Sequence, residues 1–258
     1  MQRRSTTIID QTEKAGRKKR ERVVAVVLAA GKGTRMGTEI PKQFAEVEGR
    51  TVLSHTVKKF ERHAEIDAIV VICGRGTKGT VAEICREDGF KKVRKIAVGG
   101  RTRRESSMKG ILAAEKLCGD GIVLIHDCAR PNVSAKVISD NIRLARKFGA
   151  CVTAARSVDT VITSVDGQLI SNIIPRDTVW TVQTPQTFRI DTIRRAHANF
   201  EEKATAGEAV PEITDDGGLV RFMGGDVAIC ESGRDNFKLT VPGDMELFRT
   251  ILKSGGGQ

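Results

Sequence analysis

Val23-Val24-Ala25-Val26-Val27-Leu28-Ala29-Ala30-Gly31-Lys32-Gly33-Thr34-Arg35-Met36-Gly37 decides the architecture of this chain. Its first six residues form an unbroken, β-branched apolar run. That is the pattern of a strand covered on both faces, as in a parallel sheet, rather than the alternation of a half-solvated strand. Small residues at 29–31 and 33 then let the backbone approach an anion closely, so that its N–H groups can bind phosphate oxygens. Pro41-Lys42-Gln43 follows shortly after.

The loop fits neither of two common phosphate motifs. A dinucleotide fingerprint starting at Gly31 needs glycine where Met36 stands, and a Walker A loop needs Gly-Lys-Ser/Thr at a spacing that neither Gly31 nor Gly33 provides. What remains is Gly-x-Gly-x-Arg with Lys42 seven residues beyond Arg35. Two cations beside a backbone anion nest suit charge that builds up during phosphoryl transfer.

Outward from this stretch, apolar runs alternate with helical patterns. Strands are predicted at Ala68–Ile72, Lys95–Val98, Ile122–Ile125 and Cys151–Ala155. Helices are predicted at Val52–Phe60, Thr80–Arg86, Arg103–Leu117 and Ser134–Phe148, the last with Ser134 as N-cap. This is the signature of an α/β fold with a mostly parallel sheet flanked by helices. Between about residues 157 and 183 the pattern breaks. Asp159–Val165 and Leu169–Ile174 flank Asp166-Gly167, a hairpin turn signal, and imply a protruding β-hairpin arm. An isolated ribbon is marginal in water, so the arm is expected to pack on a second subunit. Helices near Ile190–Phe200, Asp216–Met223 and Asp244–Leu252, and strands at Val227–Cys230 and Phe237–Val241, complete the reading.

Two further segments lie where such sheets bind ligands, beyond the carboxyl ends of strands. His126-Asp127-Cys128-Ala129-Arg130-Pro131 follows the most apolar strand. Asp127 there suits Mg²⁺ held against triphosphate oxygens, or a cap on the next helix. Arg130 suits a phosphate or an ion pair with Asp127, and His126 reads as a packed core residue. Gly99-Gly100-Arg101-Thr102-Arg103-Arg104-Glu105-Ser106 joins a strand to a helix and suits close approach by a base or ribose.

With these segments the chain resembles the 2-C-methyl-D-erythritol 4-phosphate cytidylyltransferase family from about Val23 to Lys253. The likeness extends through Asp159-Thr160, Pro175-Arg176-Asp177, Gln183-Thr184-Pro185-Gln186, Thr214-Asp215 and Asn236-Phe237-Lys238-Leu239-Thr240. It implies a Rossmann-like nucleotidyltransferase sheet and transfer of a cytidylyl group from CTP to the polyol phosphate, with Mg²⁺ on Asp127. CTP would lie on Ala29, Ala30, Gly31 and Gly33, its base near Gly99, Gly100, Arg103 and Ser106. Arg35 and Lys42 match the transition-state stabilisers. Arg176 and Lys238 match the residues that position the attacking phosphate, supported by Arg130, Thr160, Thr184 and Thr214. The resemblance also implies a homodimer whose arms complete the partner's acceptor site. Ribitol-5-phosphate is the alternative acceptor, disfavoured because Ala29-Ala30-Gly31 stands where that family tends to carry Ala-Gly-Gly.

Charge and cysteine content bound the rest. Of a net charge of +11, residues 1–22 hold eight Lys/Arg against three Asp/Glu, a surplus of five that leaves +6 on residues 23–258. The leader reads as a disordered basic arm, and residues 23–254 as the catalytic domain. A nucleic-acid-binding module is the rival class, but no aromatic side chains interleave the basic run, as single-strand binding needs. No Cys-x-x-Cys pair indicates zinc, and scattered cysteines suit a cytoplasmic protein. The longest apolar stretch is far short of the roughly 20 residues of a membrane span.

Overall fold

A computed structural model describes residues 20–31 and 41–255. In chain order these form β1 (Val23–Ala29), a two-stranded ribbon of β2 (Glu46–Val47) and β3 (Arg50–Thr51), α1 (Val52–Arg62), β4 (Ala68–Cys73), α2 (Lys78–Glu87), β5 (Val93–Val98), α3 (Arg103–Cys118), β6 (Ile122–Asp127), α4 (Ala135–Phe148) and β7 (Ala150–Arg156). There follow β8 (Val161–Thr163), β9 (Asn172–Ile174), β10 (Trp180–Arg189), α5 (Ile190–Thr205), α6 (Asp216–Phe222), β11 (Ala228–Glu231) and α7 (Pro242–Lys253).

Seven strands make one sheet in the order β11-β7-β10-β6-β1-β4-β5. β1 sits between β4 and β6, parallel to both, with Val26 opposite Val70 on one side and Ile125 on the other. Its side chains alternate between two layers. Val23, Ala25 and Val27 pack with Phe60, Ile138 and Phe248 from α1, α4 and α7, while Val24 and Val26 pack with Ile111 and Phe200 from α3 and α5. Burial on both faces explains why the strand shows no polar alternation. Ser134 caps α4 as its sequence predicts, accepting a hydrogen bond from the Val137 N–H at 3.3 Å.

Two features depart from the sequence reading. β10 is a ten-residue central strand, antiparallel to both β6 and β7. Pro185 and a run of polar residues hide it from a hydrophobicity reading. The sheet accommodates the proline at a register shift between Val182 and Gln186. Its buried polar side chains find side-chain partners: the Gln183 amide oxygen accepts from Asn236, Gln186 donates to Asp215, and Thr187 donates to Asn141. The second correction is Phe237–Val241, which is not a strand. It is an extended segment pinned by the Leu239 N–H, which donates to the Ala129 carbonyl at 2.8 Å, with Leu239 fully buried.

The arm is present as the separate β8–β9 pair, with Ile162 opposite Ile173. Its strands are three residues each, shorter than the apolar pattern suggests. The Asp166 carboxylate caps the turn instead, accepting from the Gln168 and Leu169 N–H groups, each at 2.9 Å. The basic leader lies outside the described residues except at its end. There Arg20 pairs with Asp67, and Glu21 bridges Arg146 and Arg189, so residues 20–22 belong to the folded body.

Candidate active site

The sheet's chain order places the carboxyl ends of β1, β4, β5 and β6 along one edge, and β6 ends on Asp127. The pinned segment after β11 brings Lys238 to that carboxylate. Lys238 Nζ lies 2.7 Å from Asp127 Oδ2, and Arg103 Nε approaches Oδ1 at 3.5 Å from the first turn of α3. Burial alone would raise the Asp127 pKa. Arg103 and Lys238 overcome that, holding it well below the usual carboxylate range. Asp127 therefore caps no helix; it is the centre of a charge cluster. Lys42 reaches the same segment, its Nζ donating to the Leu239 carbonyl at 3.1 Å. Arg130 is half-buried, donates to the Asn236 carbonyl at 2.8 Å, and stands close enough to Asp127 to help lower its pKa.

Thr184 is tied to this cluster through a hydrogen-bonded chain. Burial drives the pKa of His126 down to about 4, so its ring is neutral at physiological pH and carries one N–H. Nε2 faces the Arg130 carbonyl at 3.0 Å, which can only accept, so Nε2 bears the proton. Nδ1 then accepts from the Thr184 hydroxyl at 3.1 Å, and the hydroxyl oxygen accepts from the Asp127 N–H at 3.0 Å. His126 thus acts as a brace for the loop that presents Asp127 and Arg130, in keeping with its reading as a core residue.

This brace has a pH signature. The folded pKa of His126 lies below the ordinary 6.5, so the unfolded chain takes the proton first. Its contribution is complete above about pH 6.5 and is lost as pH falls toward 4, amounting to about 3 kcal/mol. Urea unfolding at pH 7, 5.5 and 4 is expected to show that decline, and His126→Asn to flatten it. Equal slopes in the two proteins would mean that His126 is not the group responsible.

At the segments expected from the sequence to meet the nucleotide, the structure joins the β1, β5 and α3 segments. A Cβ at Gly99 would stand 2.8 Å from Ala30 Cβ and 2.7 Å from Ser106 Oγ, so only glycine lets these backbones meet. Ser106 accepts from the Gly100 N–H at 3.0 Å and fixes the loop. Gly31 is held through its carbonyl, which accepts from the buried Gln43 amide, while Ala29 ends β1. Gly33 and Arg35 lie outside the described residues. On the arm, Arg176 donates to Thr160 at 3.0 Å; among the described residues neither is bonded to the Asp127 cluster. Thr214 is exposed, one residue before Asp215, which caps α6.

The sequence reading missed one organising residue, Asp216. It is 1% exposed and binds Arg103 Nη1 at 2.8 Å and the Ser107 hydroxyl at 2.5 Å. Burial opposes its ionisation, but Arg103, His197 and Ser107 together outweigh burial, so its pKa is lowered. Arg103 is thereby fixed between two carboxylates. The available signal was an acidic pair, Asp215-Asp216, at the start of a short helix that carries Leu219, Val220 and Phe222.

A family model described as "IspD: 2-C-methyl-D-erythritol 4-phosphate cytidylyltransferase" matches residues 23–254. The chain belongs to this family. It is 36% identical to the enzyme of that name from Alkaliphilus oremlandii, over 89% of this chain and 94% of the relative. Identity to the Syntrophotalea carbinolica enzyme is 37%, over 91% and 97%. Among solved structures, a 4-diphosphocytidyl-2C-methyl-D-erythritol synthase from Anaerococcus prevotii superposes with a TM-score of 0.76 at 26% identity, covering 90% of this chain and 96% of the other. The cytidylyltransferase from Thermus thermophilus superposes with a TM-score of 0.70 at 30% identity, covering 90% and 99%. The mixed sheet with its antiparallel β10 is therefore the cytidylyltransferase fold.

Proposed function

We propose that this chain transfers a cytidylyl group from CTP to 2-C-methyl-D-erythritol 4-phosphate, releasing diphosphate. The observation that carries the reading is the Asp127–Lys238–Arg103 cluster at the carboxyl edge of β6, in a chain whose residues 23–254 match the family model. A phosphate oxygen of the acceptor attacks the α-phosphorus, and the bond to the β,γ-diphosphate breaks. The nucleophile is already anionic at neutral pH, so no general base is required. Positioning and charge neutralisation supply the rate.

In this reading Ala29–Gly31 and Gly33 take the triphosphate. Gly99, Gly100, Arg103 and Ser106 take the nucleoside, and Arg35 and Lys42 stabilise the charge that builds up. Lys238, Arg176, Arg130, Thr160, Thr184 and Thr214 hold the acceptor phosphate. Among the described residues no three His, Cys, Asp or Glu side chains gather to form a closed metal cage. Asp127 alone fits a Mg²⁺ shared with substrate phosphates, and its Oδ1 is the more loosely engaged oxygen. Such an ion would neutralise triphosphate charge. Diphosphate release measured across CTP, UTP, ATP and GTP against methylerythritol, ribitol and hexose phosphates tests the assignment. Turnover is expected with CTP and methylerythritol phosphate; turnover with ribitol phosphate alone would overturn it.

The same proposal includes a homodimer formed through the arm. Its apolar side chains have no cover among the described residues: Val165 is 94% exposed and Leu169 72%. A ribbon this apolar is stable when a second surface covers it. Removing Val161–Ile173 is expected to give a monomer with no activity, read by light scattering and diphosphate release. An active monomer would refute a shared site. No described helix is long and apolar enough to cross a membrane. The six free cysteines suit the reducing cytoplasm we assign.

A further inference from the structure

A cavity of about 300 Å³ lies on the layer opposite α3, between α1, the β2–β3 ribbon and α7. It shares no residue with the Asp127 cluster. Its walls carry Arg50, Lys58, Lys59, Arg62 and Lys253 against the single carboxylate of Glu48. Phe248, Leu252, Pro131 and the ring of His55 form its apolar side. The His55 ring stands edge-on to Phe248, centroids 5.2 Å apart, and is fixed by its Nε2, which donates to the Val47 carbonyl at 2.8 Å.

The excess of positive charge is only partly cancelled among the described residues. Arg50 is held by Asp88 at 2.7 Å, and Lys253 lies 3.6 Å from Glu48. No described carboxylate comes within ion-pair distance of Lys58 or Arg62. The carboxyl end of α1 adds about half a negative charge, which offsets only part of the surplus. Lys58 and Lys59 are half-buried, and their pKa values are lowered by burial first and then by neighbouring cations. A half-enclosed group of like charges costs free energy unless an anion joins it.

We propose that this cavity is a second ligand site, for a small organic phosphate whose anion meets Lys58 and Arg62 and whose organic part lies on Phe248 and Leu252. Its volume is at the small end for small-molecule pockets, and its combination of a few charges with an apolar wall is typical of them. The occupant also touches Pro131, the residue after Arg130. α1 itself holds that loop, because Thr56 donates to the Cys128 carbonyl at 2.6 Å. A ligand here therefore bears on the segment that presents Asp127.

The test titrates the full chain with phenyl phosphate and with inorganic phosphate by calorimetry at low salt. Phenyl phosphate is expected to bind, with Lys58→Gln/Arg62→Gln weakening it by about tenfold and Lys42→Ala leaving that component unchanged. Arg62→Glu, a charge reversal on an exposed side chain, should act in the same direction should the double variant unfold. Inorganic phosphate is expected to bind about tenfold more weakly, because it forfeits the apolar wall. Equal affinity of phenyl phosphate for wild type and both cavity variants, or a loss confined to Lys42→Ala, would overturn the site. Equal affinity of the two phosphates would overturn the organic part of the ligand. An acidic hexapeptide that binds where phenyl phosphate does not would also overturn it, in favour of a protein partner.

Discussion

Replacing Asp127 with alanine is expected to lower kcat for cytidylyl transfer by about 10²–10³-fold, the loss typical of one preorganised charge at a transferring phosphoryl group. The carboxylate orders two cations from distant parts of the chain, Lys238 at 2.7 Å and Arg103 at 3.5 Å. Without it they repel each other, and no carboxylate stands where Mg²⁺ and the triphosphate are proposed to meet. Stability should fall only modestly, by about 1–2 kcal/mol, because Lys238 remains about one-third exposed and solvent screens the pair. Steady-state diphosphate release, with near-ultraviolet circular dichroism as the folding control, checks the result. A loss below tenfold in a folded variant would make Asp127 peripheral to the chemistry.

Asp216→Ala is expected to act in the reverse proportion, costing stability first. Asp216 is 1% exposed, and its removal leaves the buried Ser107 hydroxyl without its acceptor and the partly buried Arg103 without its nearer carboxylate. Breaking a buried pair of this kind costs about 3–5 kcal/mol. For a chain of this size that corresponds to a melting temperature lower by about 6–20 °C. Activity should fall as well, because Arg103 loses the anchor that aims it at Asp127. A melting temperature within about 2 °C of wild type would mean that Arg103 is held by other contacts.

The parts of the fold legible in the sequence are those where apolar burial writes the pattern. β1, β4 and β6 are continuous apolar runs because both faces are covered, and α4 announces itself through Ser134. β10 is hidden because the side chains it buries are polar rather than apolar. Gln183, Thr184, Gln186 and Thr187 are polar yet buried, each satisfied by a partner far away in sequence. The extended segment around Lys238 looks like a strand because Leu239 must be buried, although no ladder exists for it to join.

The same distinction governs the candidate site. Asp127, Lys42 and the glycine turns stood out because they sit in loops directly after apolar strands. Asp216 did not, because its role is fixed by tertiary partners such as Arg103 and the Ser107 hydroxyl. That Lys238 meets Asp127 across 111 positions is a fact of packing which no local pattern contains.

β7 and β10 are consecutive members of the main sheet, with Arg156 directly opposite Trp180 and the Ser157 N–H donating to the Val179 carbonyl at 3.0 Å. Everything from residue 157 to 179 is thus a detour that leaves and re-enters the ladder at a single point. In engineering terms the arm is a cassette: a short turn could close β7 onto β10 with every other strand contact kept. The same two ends could accept an arm from another member of the family, so that the ribbon can be exchanged while the sheet that carries Asp127 stays as it is.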